Sequence, residues 1–328
     1  MKISLIVLTW NSLPYIKQTL PPLLEQKYKE VEYIYVDNGS TDGTVEYIKE
    51  QIQKNRDRNI KLIENGTNLG ISIAKNKAVQ QSSGEYIILI DDDILIENKD
   101  FLSNIVEYYQ TLDNPAFLMP FFVDKEEISH GDTKSFGTYY YAFGIQKNKP
   151  KQKIEKIMAY TKPIEIAINQ GGAMFIKKDI WNILGGFDES QKFNLDDDDI
   201  STRAMIYGYK NYLYNKEYIV HLGLAKRADK YRYAWNDLTY YNGKTKVIWK
   251  NFNTFTIIWM GFMQGGKIFA ESIYHSFTLR YPKIFIATIT SIIAFLKELP
   301  ETLEERKEIQ KNRKISDKYI LNLKQPKY

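Results

Sequence analysis

The sequence predicts a three-layer α/β domain with a mostly parallel central sheet, followed by a helical extension, and three observations carry that prediction. Four times in the first hundred residues an apolar, β-branched run leads through a turn into a helix-period pattern, as strand–helix units of a parallel sheet do. The fourth run, Tyr86 to Ile90, is apolar at every position and reads as a strand buried on both faces. Each run also ends in polar residues: Thr9 and Asn11, Asp37 and Asn38, Asn68 and Gly70, then Asp91, Asp92 and Asp93. In an open α/β sheet such turns converge on one edge, where ligands settle. We divide the chain into this domain, residues 1–225, and a basic, aromatic-rich helical extension, residues 226–328.

Lys2 to Trp10 is the first strand. Its charged and apolar start imitates a signal peptide, but no small-residue cleavage site follows and Asn11 and Pro14 interrupt it early. Asn11 to Gln26 is helical in character despite Pro14 and a break at Pro21 and Pro22. Val31 to Val36 is the second strand. The turn after it offers Gly39 as a permissive backbone and Ser40, Thr41 and Asp42 as caps for a helix from Val45 to Gln51. Ile60 to Glu64 is the third strand, and the next helix sets Ile71, Ala74 and Ala78 inward before Gly84 ends it.

From Asp124 to Pro163 the pattern loosens around Gly131, Gly137, Gly144 and the run Tyr139 to Tyr141. A long insertion of this kind is a functional or a mobile loop, and its tyrosines read as strand or loop packing rather than a sugar platform. After Asn169-Gln170-Gly171-Gly172 come a strand, Ala173 to Ile176, and a helix, Asp179 to Leu184, closed by Gly185-Gly186-Phe187-Asp188. An acidic helix opens at Asp196 and stops at Gly208. A strand pair around Tyr212–Leu213 and Tyr218–Val220 ends at His221. In the extension, breaks are expected at Asn251 to Asn253, Gly265-Gly266, Pro282 and Pro300, with Glu301 to Lys318 a solvated helix.

The formal net charge of +5 does not call for a nucleic acid, but its distribution is uneven. After residue 225 there are 19 Lys and Arg against 9 Asp and Glu, which leaves the first 225 residues at −5. A basic tail points to an anionic partner such as a membrane surface; a helical cap packed on the core accounts for it equally well. The chain has no cysteine, which excludes disulfides, thiolate metal sites and cysteine nucleophiles and is compatible with the cytoplasm. The most apolar long window, Ile284 to Leu296, spans about 20 Å as a helix, short of the roughly 30 Å hydrocarbon core, so no transmembrane helix is expected.

Three carboxylates at the end of a buried strand repel one another and lose solvation unless a cation or a set of donors offsets both costs. Hard oxygen ligands suit Mg2+ or Mn2+; a solvated turn capping the next helix is the competing explanation. A second acidic cluster, Asp196 to Asp199, opens a helix. The helix dipole accounts for one or two of its four charges, not for all. No GxGxxG or GxxxxGK[ST] loop is present, which counts against a dinucleotide dehydrogenase or a P-loop enzyme. A lone histidine at a strand end, as at His221, is commonly a structural residue. Gly171-Gly172 either brings backbone close to a ligand or simply turns the chain. Two further functions stay open: a metal-dependent phosphotransferase or phosphatase, against which Ile94 and Leu95 follow the aspartates, and a non-catalytic nucleotide-sugar-binding module.

The ordered set LTWN at Leu8 to Asn11, VDNGSTDGT at Val36 to Thr44, NLG at Asn68 to Gly70, the triple aspartate, NQGGAMFIKKD at Asn169 to Asp179, GGFDE at Gly185 to Glu189, the DDDDISTR segment and His221 resembles inverting glycosyltransferases of the GT-A fold, family 2, especially the rhamnosyltransferase-like members. The likeness covers about the first two-thirds of the chain; DLTYYNGKTKVI in the tail is similar only loosely. It implies a nucleotide-diphosphate sugar lined by Thr9, Asn11, Asn68, Gly70 and Asn76, with Asp37 accepting from the base. It implies a DxD motif at Asp91, Asp92 and Asp93, with Asp93, Asp91 and His221 around Mg2+ or Mn2+, and Gly171 and Gly172 beside the donor. Asp197, with Asp196, takes the general-base position, and Arg203 pairs within the cluster. The implied reaction moves a sugar to a glycan or lipid-linked acceptor in cell-surface polysaccharide or glycoconjugate synthesis, by a cytoplasmic protein with possible peripheral membrane contact through the extension. Trp10 in place of tyrosine, Lys75 in place of arginine and Asp196 in place of glutamate depart from the pattern.

Overall fold

The computed structural model describes residues 1–133, 140–141, 144–145, 152–169, 171–191, 195–223, 242–278 and 283–324. The first half runs β1 (Ile3–Thr9), α1 (Leu13–Leu24), β2 (Val31–Asp37), α2 (Thr44–Lys54), β3 (Asn59–Glu64), α3 (Ile71–Gln81), β4 (Tyr86–Asp91) and β5 (Ile94–Leu95). It continues through α4 (Phe101–Gln110), β6 (Pro115–Val123), α5 (Lys125–His130), β7 (Asp132–Thr133), β8 (Tyr140–Tyr141), β9 (Gly144–Ile145), β10 (Gln152–Lys153), α6 (Ile154–Ala159) and β11 (Ile164–Ile166). Then come β12 (Ala173–Lys177), α7 (Lys178–Leu184), α8 (Asp196–Ile206) and β13 (Lys210–His221). A helix over 242–251, α9, leads to α10 (Thr254–Thr278), α11 (Lys283–Lys311) and α12 (Asp317–Asn322).

One sheet of nine strands runs in the order β11, β13, β6, β12, β4, β1, β2, β3, with β5 paired to the end of β13. β3, β2, β1 and β4 are mutually parallel, β12 enters antiparallel between β4 and β6, and β6 and β13 are parallel again. The sheet is therefore mostly parallel, as the sequence predicts. Side chains alternate across it: Ile3, Leu5 and Val7 of β1 pack with residues of α1, α2 and α4, while Ile6 packs with residues of α3, α7 and α8. Burial on both faces explains the unbroken apolar runs, and each buried Leu or Ile contributes about 1.5–3 kcal/mol.

The reversed direction of β12 matters for function. Its first residues lie at the same edge as the ends of β1, β2 and β4, and Asp91 donates its backbone N–H to the Gly172 carbonyl at 3.0 Å.

Several expected boundaries move. The strand pair ending at His221 is one strand, β13, with register shifts between Lys210 and Tyr212 and between Tyr214 and Tyr218. α1 continues through Pro21 and Pro22, α10 through Gly265-Gly266, and α11 through Pro300. Glycine weakens a helix by about 1 kcal/mol without blocking it. α11 is pinned on both sides of its proline, by Phe295 against Trp249 and by Arg306 bonded to the carbonyls of Trp249 and Phe252. Nor is the end of α11 merely solvated: Arg306 and Gln310 reach carbonyls between 249 and 252, and Arg313, just beyond it, bonds the Asn251 carbonyl. Residues 139, 170 and 282, the proposed boundary between residues 225 and 226, and residues 237–241 of the tail likeness lie outside the described residues.

Candidate active site

At the ends of β1 and β2 the polar turn residues are tied to one another. Asp37 Oδ2 accepts from the backbone N–H groups of Gly39 and Ser40, each at 2.9 Å, and Oδ1 accepts from the hydroxyls of Ser40 and Thr9. Its lone pairs are thus taken by its own turn and by Thr9 of β1. Asn11, at φ 49°, accepts from Thr41 N–H at 2.8 Å and donates its own N–H to Ser40 Oγ at 2.8 Å. Asn38 joins the next turn, donating to the Gly70 carbonyl and accepting from Asn65. Asn68 caps Gly70 N–H at 2.9 Å. Thr9, Asn11, Asp37, Asn68 and Gly70 therefore form one connected edge. Asn76 is engaged elsewhere: its amide bonds the Phe187 N–H and carbonyl, each at 2.9 Å, and Glu189 at 3.0 Å, so it fastens α3 to the turn after α7.

The two acidic clusters meet through Lys75. This lysine, 2% exposed, donates from Nζ to Asp91 Oδ1 at 2.9 Å and to the Gly171 carbonyl at 3.4 Å. Gly171 in turn donates its N–H to Asp197 Oδ2 at 2.8 Å. A Cβ at position 171 would stand 3.4 Å from that oxygen, an ordinary contact, so it is the backbone N–H that joins strand and carboxylate. Burial opposes the charge on Lys75, but Asp91, Asp196 and Asp197 outweigh it and hold its pKa above the ordinary value. Sequence reading noted Lys75 only as a departure; a lysine beside the inward positions Ala74 and Ala78 is the signal of a buried counter-charge.

Asp93 and His221 form a second pair, His221 Nε2 to Asp93 Oδ2 at 3.1 Å. β5 returns along the end of β13, and the Asp93 carbonyl accepts from Leu222 N–H at 2.9 Å. Gly223 makes the approach possible, since a Cβ there would lie 1.9 Å from Asp93 Oδ2. Sequence reading missed this residue, although a glycine two positions past a site histidine was visible. Burial lowers the His221 pKa, and the bond to Asp93 with the charges of Asp93, Asp91 and Asp124 more than reverses that, leaving it raised. Asp92 is pushed up to about 7 by burial and by the charges of its neighbours Asp91 and Asp93.

Among the described residues no group of three or more His, Asp and Glu side chains converges on one point. Asp93 and His221 are nonetheless donors of the kind a divalent ion takes, and they would hold one only with water and substrate phosphates supplying the other ligands. His221 Nδ1 is buried without a partner. Asp91, the other expected ligand, pairs with Lys75 through Oδ1.

α8 begins directly after Leu195, which holds a left-handed φ of 69°. Of its four leading aspartates Asp197 alone is half-buried, its side chain desolvated yet reachable, while the other three are buried. Burial and the neighbouring aspartates push Asp197 up to about 8 and Asp196 up to about 7. Asp198 is pushed up to about 6 by burial, in spite of Lys244. Asp199 serves structure: it pairs with Arg203, accepts from Asn251 at 2.7 Å, and lies 3.2 Å from Lys250 Nζ. Burial raises its pKa less than Arg203 and Lys250 lower it. Arg203 pairs within the cluster, as expected, and also bonds the Gly186 carbonyl. Lys250, 1% exposed, binds Asp188 at 2.6 Å and Glu305 at 3.2 Å, joining α8 to α9, α11 and the turn after α7. Replacing Lys250 by methionine removes the buried ammonium from Asp188, which keeps only Ser190, and from Asp199, which keeps Arg203 and Asn251, and we expect a loss of about 3 kcal/mol in urea unfolding. An unchanged unfolding midpoint would show that the network carries no stability.

Two acid clusters thus meet at the carboxyl edge of the sheet, linked by one lysine. Residues 4–184 match the family model described as glycosyl transferase family 2, and the chain belongs to that family. It is 25% identical over 330 residues to an uncharacterized glycosyltransferase of Haemophilus influenzae, covering 97% of this chain and 96% of that protein. Other matches are shorter: the chain spans 38% of the length of another uncharacterized glycosyltransferase of H. influenzae and 15% of glycosyltransferase GlyA of Streptococcus pneumoniae, at 36% identity to each. Its fold is that of S. aureus TarS, solved with UDP-GlcNAc, at a TM-score of 0.55, 18% identity, and 95% and 89% coverage of this chain and that one. It is similarly that of the mannosyltransferase PcManGT from Pyrobaculum calidifontis, solved with GDP-Man and Mn2+, at 0.53, 17%, and 90% and 87%.

Proposed function

We propose that the chain transfers a sugar from a nucleotide-diphosphate donor to a hydroxyl of a glycan or lipid-linked acceptor, with inversion, in the making of a cell-surface polysaccharide or glycoconjugate. The observation that carries this reading is the path from Asp91 through Lys75 and Gly171 to Asp197, which sets a donor-side acid cluster against an acceptor-side one. The polar edge from Thr9 to Gly70 lines the nucleotide. Asp93 and His221 would hold a divalent ion, Mg2+ or Mn2+, which when bound supplies positive charge to the leaving diphosphate. Asp197 takes the acceptor proton as the acceptor oxygen bonds to the anomeric carbon. The bond from that carbon to the phosphate oxygen breaks on the opposite face, and its electron pair leaves with the nucleoside diphosphate. A carboxylate whose pKa lies near neutrality is a stronger base than an ordinary aspartate.

Residues 1–225 carry this chemistry in our reading, and residues 226–328 serve acceptor or peripheral membrane contact. No helix among the described residues is long and apolar enough to cross a membrane. Incubation with UDP-, GDP- and dTDP-sugars plus Mn2+ is expected to release nucleoside diphosphate from one donor class. Release of inorganic phosphate would indicate a phosphatase, and saturable binding with no turnover a binding module.

A further inference from the structure

α9 is tied to the acidic segment at both of that segment's ends. Gly243, Val247 and Lys250 follow one another at helical spacing, with Lys244 and Asn251 beside them, so these residues share one face of α9. Gly243 admits Leu195, the left-handed residue before α8: a Cβ there would stand 2.9 Å from Leu195 Cδ1. Val247, Ile248 and Phe252 belong to one apolar cluster with Leu195 and with Met205 and Ile206 of α8. At the charged positions Lys250 and Asn251 hold Asp199, and the Lys244 charge reaches Asp198. Lys246, paired with Glu298 at 2.5 Å, also bonds Ser190 at 3.0 Å in the turn that leads to α8.

The carboxylate of Asp197 is held by two backbone donors, Asp198 N–H on Oδ1 at 2.9 Å and Gly171 N–H on Oδ2 at 2.8 Å. Its direction therefore depends on where the first turn of α8 sits against the start of β12. No side chain caps that turn. Asp198, 3% exposed, keeps Oδ1 without a hydrogen-bond partner, and a buried carboxylate so placed repels Asp196, Asp197 and Asp199 unless a cation stands near. The cations are divided among the four aspartates. Lys75 from α3 serves Asp196 and Asp197 along with Asp91, Arg203 and Lys250 serve Asp199, and the half-buried Lys244 serves Asp198.

We propose that Lys244, seated by the contact of Gly243 with Leu195, is a positioning residue for sugar transfer: by balancing Asp198 it fixes the first turn of α8 and so the aim of Asp197 at the acceptor hydroxyl. This rests on Asp197 as the base, and it carries the catalytic unit past residue 225 into α9. In the full-length protein Lys244→Met is expected to lower kcat about tenfold or more with the donor KM within about twofold of wild type, because a displaced base loses rate and not binding. Lys244→Arg, which keeps the charge, is expected to restore most of the rate. In an Asp198→Asn background, where no carboxylate needs balancing, adding Lys244→Met is expected to cost less than about twofold. Amide hydrogen exchange on a peptide spanning residues 195–201 makes the same comparison without turnover, faster in Lys244→Met and at the wild-type rate in Lys244→Arg. An unchanged kcat, a loss just as large beside Asp198→Asn, or unchanged exchange would overturn the proposal. Wild-type protein that turns over no nucleotide sugar, while exchange still responds to Lys244→Met, would strike the transferase reading and leave the hold of α9 on α8 standing.

Discussion

Replacing Asp197 by asparagine is expected to lower sugar transfer by about 10²- to 10⁴-fold while nucleotide-sugar binding stays nearly unchanged. The amide oxygen can still accept from Gly171 N–H, now at 2.8 Å from the carboxylate, so the link between β12 and α8 survives and the loss falls on proton removal. The pH dependence separates chemistry from packing. The base works ionised, so the wild-type rate falls as pH drops through the region from about 8 to about 6, where Asp197, Asp196 and Asp198 titrate as a coupled set. The residual rate of Asp197→Asn is expected to lack the upper part of that limb. Stability runs the other way. Carboxyl groups raised in the fold hold protons more tightly there than when unfolded, so their contribution is present at low pH and lost as pH rises through those values. A variant with full turnover would remove Asp197 from the base role.

Gly223→Ala is expected to cost about 10²-fold in transfer and to weaken Mn2+-dependent donor binding, although the residue itself has no functional group. The added Cβ would fall 1.9 Å from Asp93 Oδ2, so the carboxylate must leave its place beside His221. The β5–β13 pairing through Ile94 and His221 lies on the near side of the change and keeps the backbone anchored. Near-native circular dichroism with lost metal response is the expected pair of results. Wild-type activity would show that Asp93 does not need the position it holds in this structure.

The sequence made the polar edge of the sheet legible because β-strands that end in polar residues announce where a parallel sheet opens. Thr9, Asn11, Asp37, Asn68 and Gly70 do lie together. What was hidden depends on contacts between distant segments. Nothing in the local pattern shows that Asn76 is spent on Phe187, that Asp91 pairs with Lys75, or that Asp37 satisfies its own turn. β6 also escaped: Pro115 and Pro120 argue against a central strand, yet it lies between β12 and β13. The breaks expected in α10 and α11 failed for a related reason, since α10 packs on α11 through Phe269 and Phe285 and α11 on α9 through Phe295 and Trp249, which outweighs the local cost of glycine and proline.

The ammonium of Lys250 has a consequence for how such chains can be recombined. It balances Asp188 and Asp199 from a helix that follows β13, so the two parts of the molecule share one electrical account. A chimera that joined this front end to the helices of a relative would need a cation at the same depth, or the segment bearing the acidic residues would be left with unmatched charge.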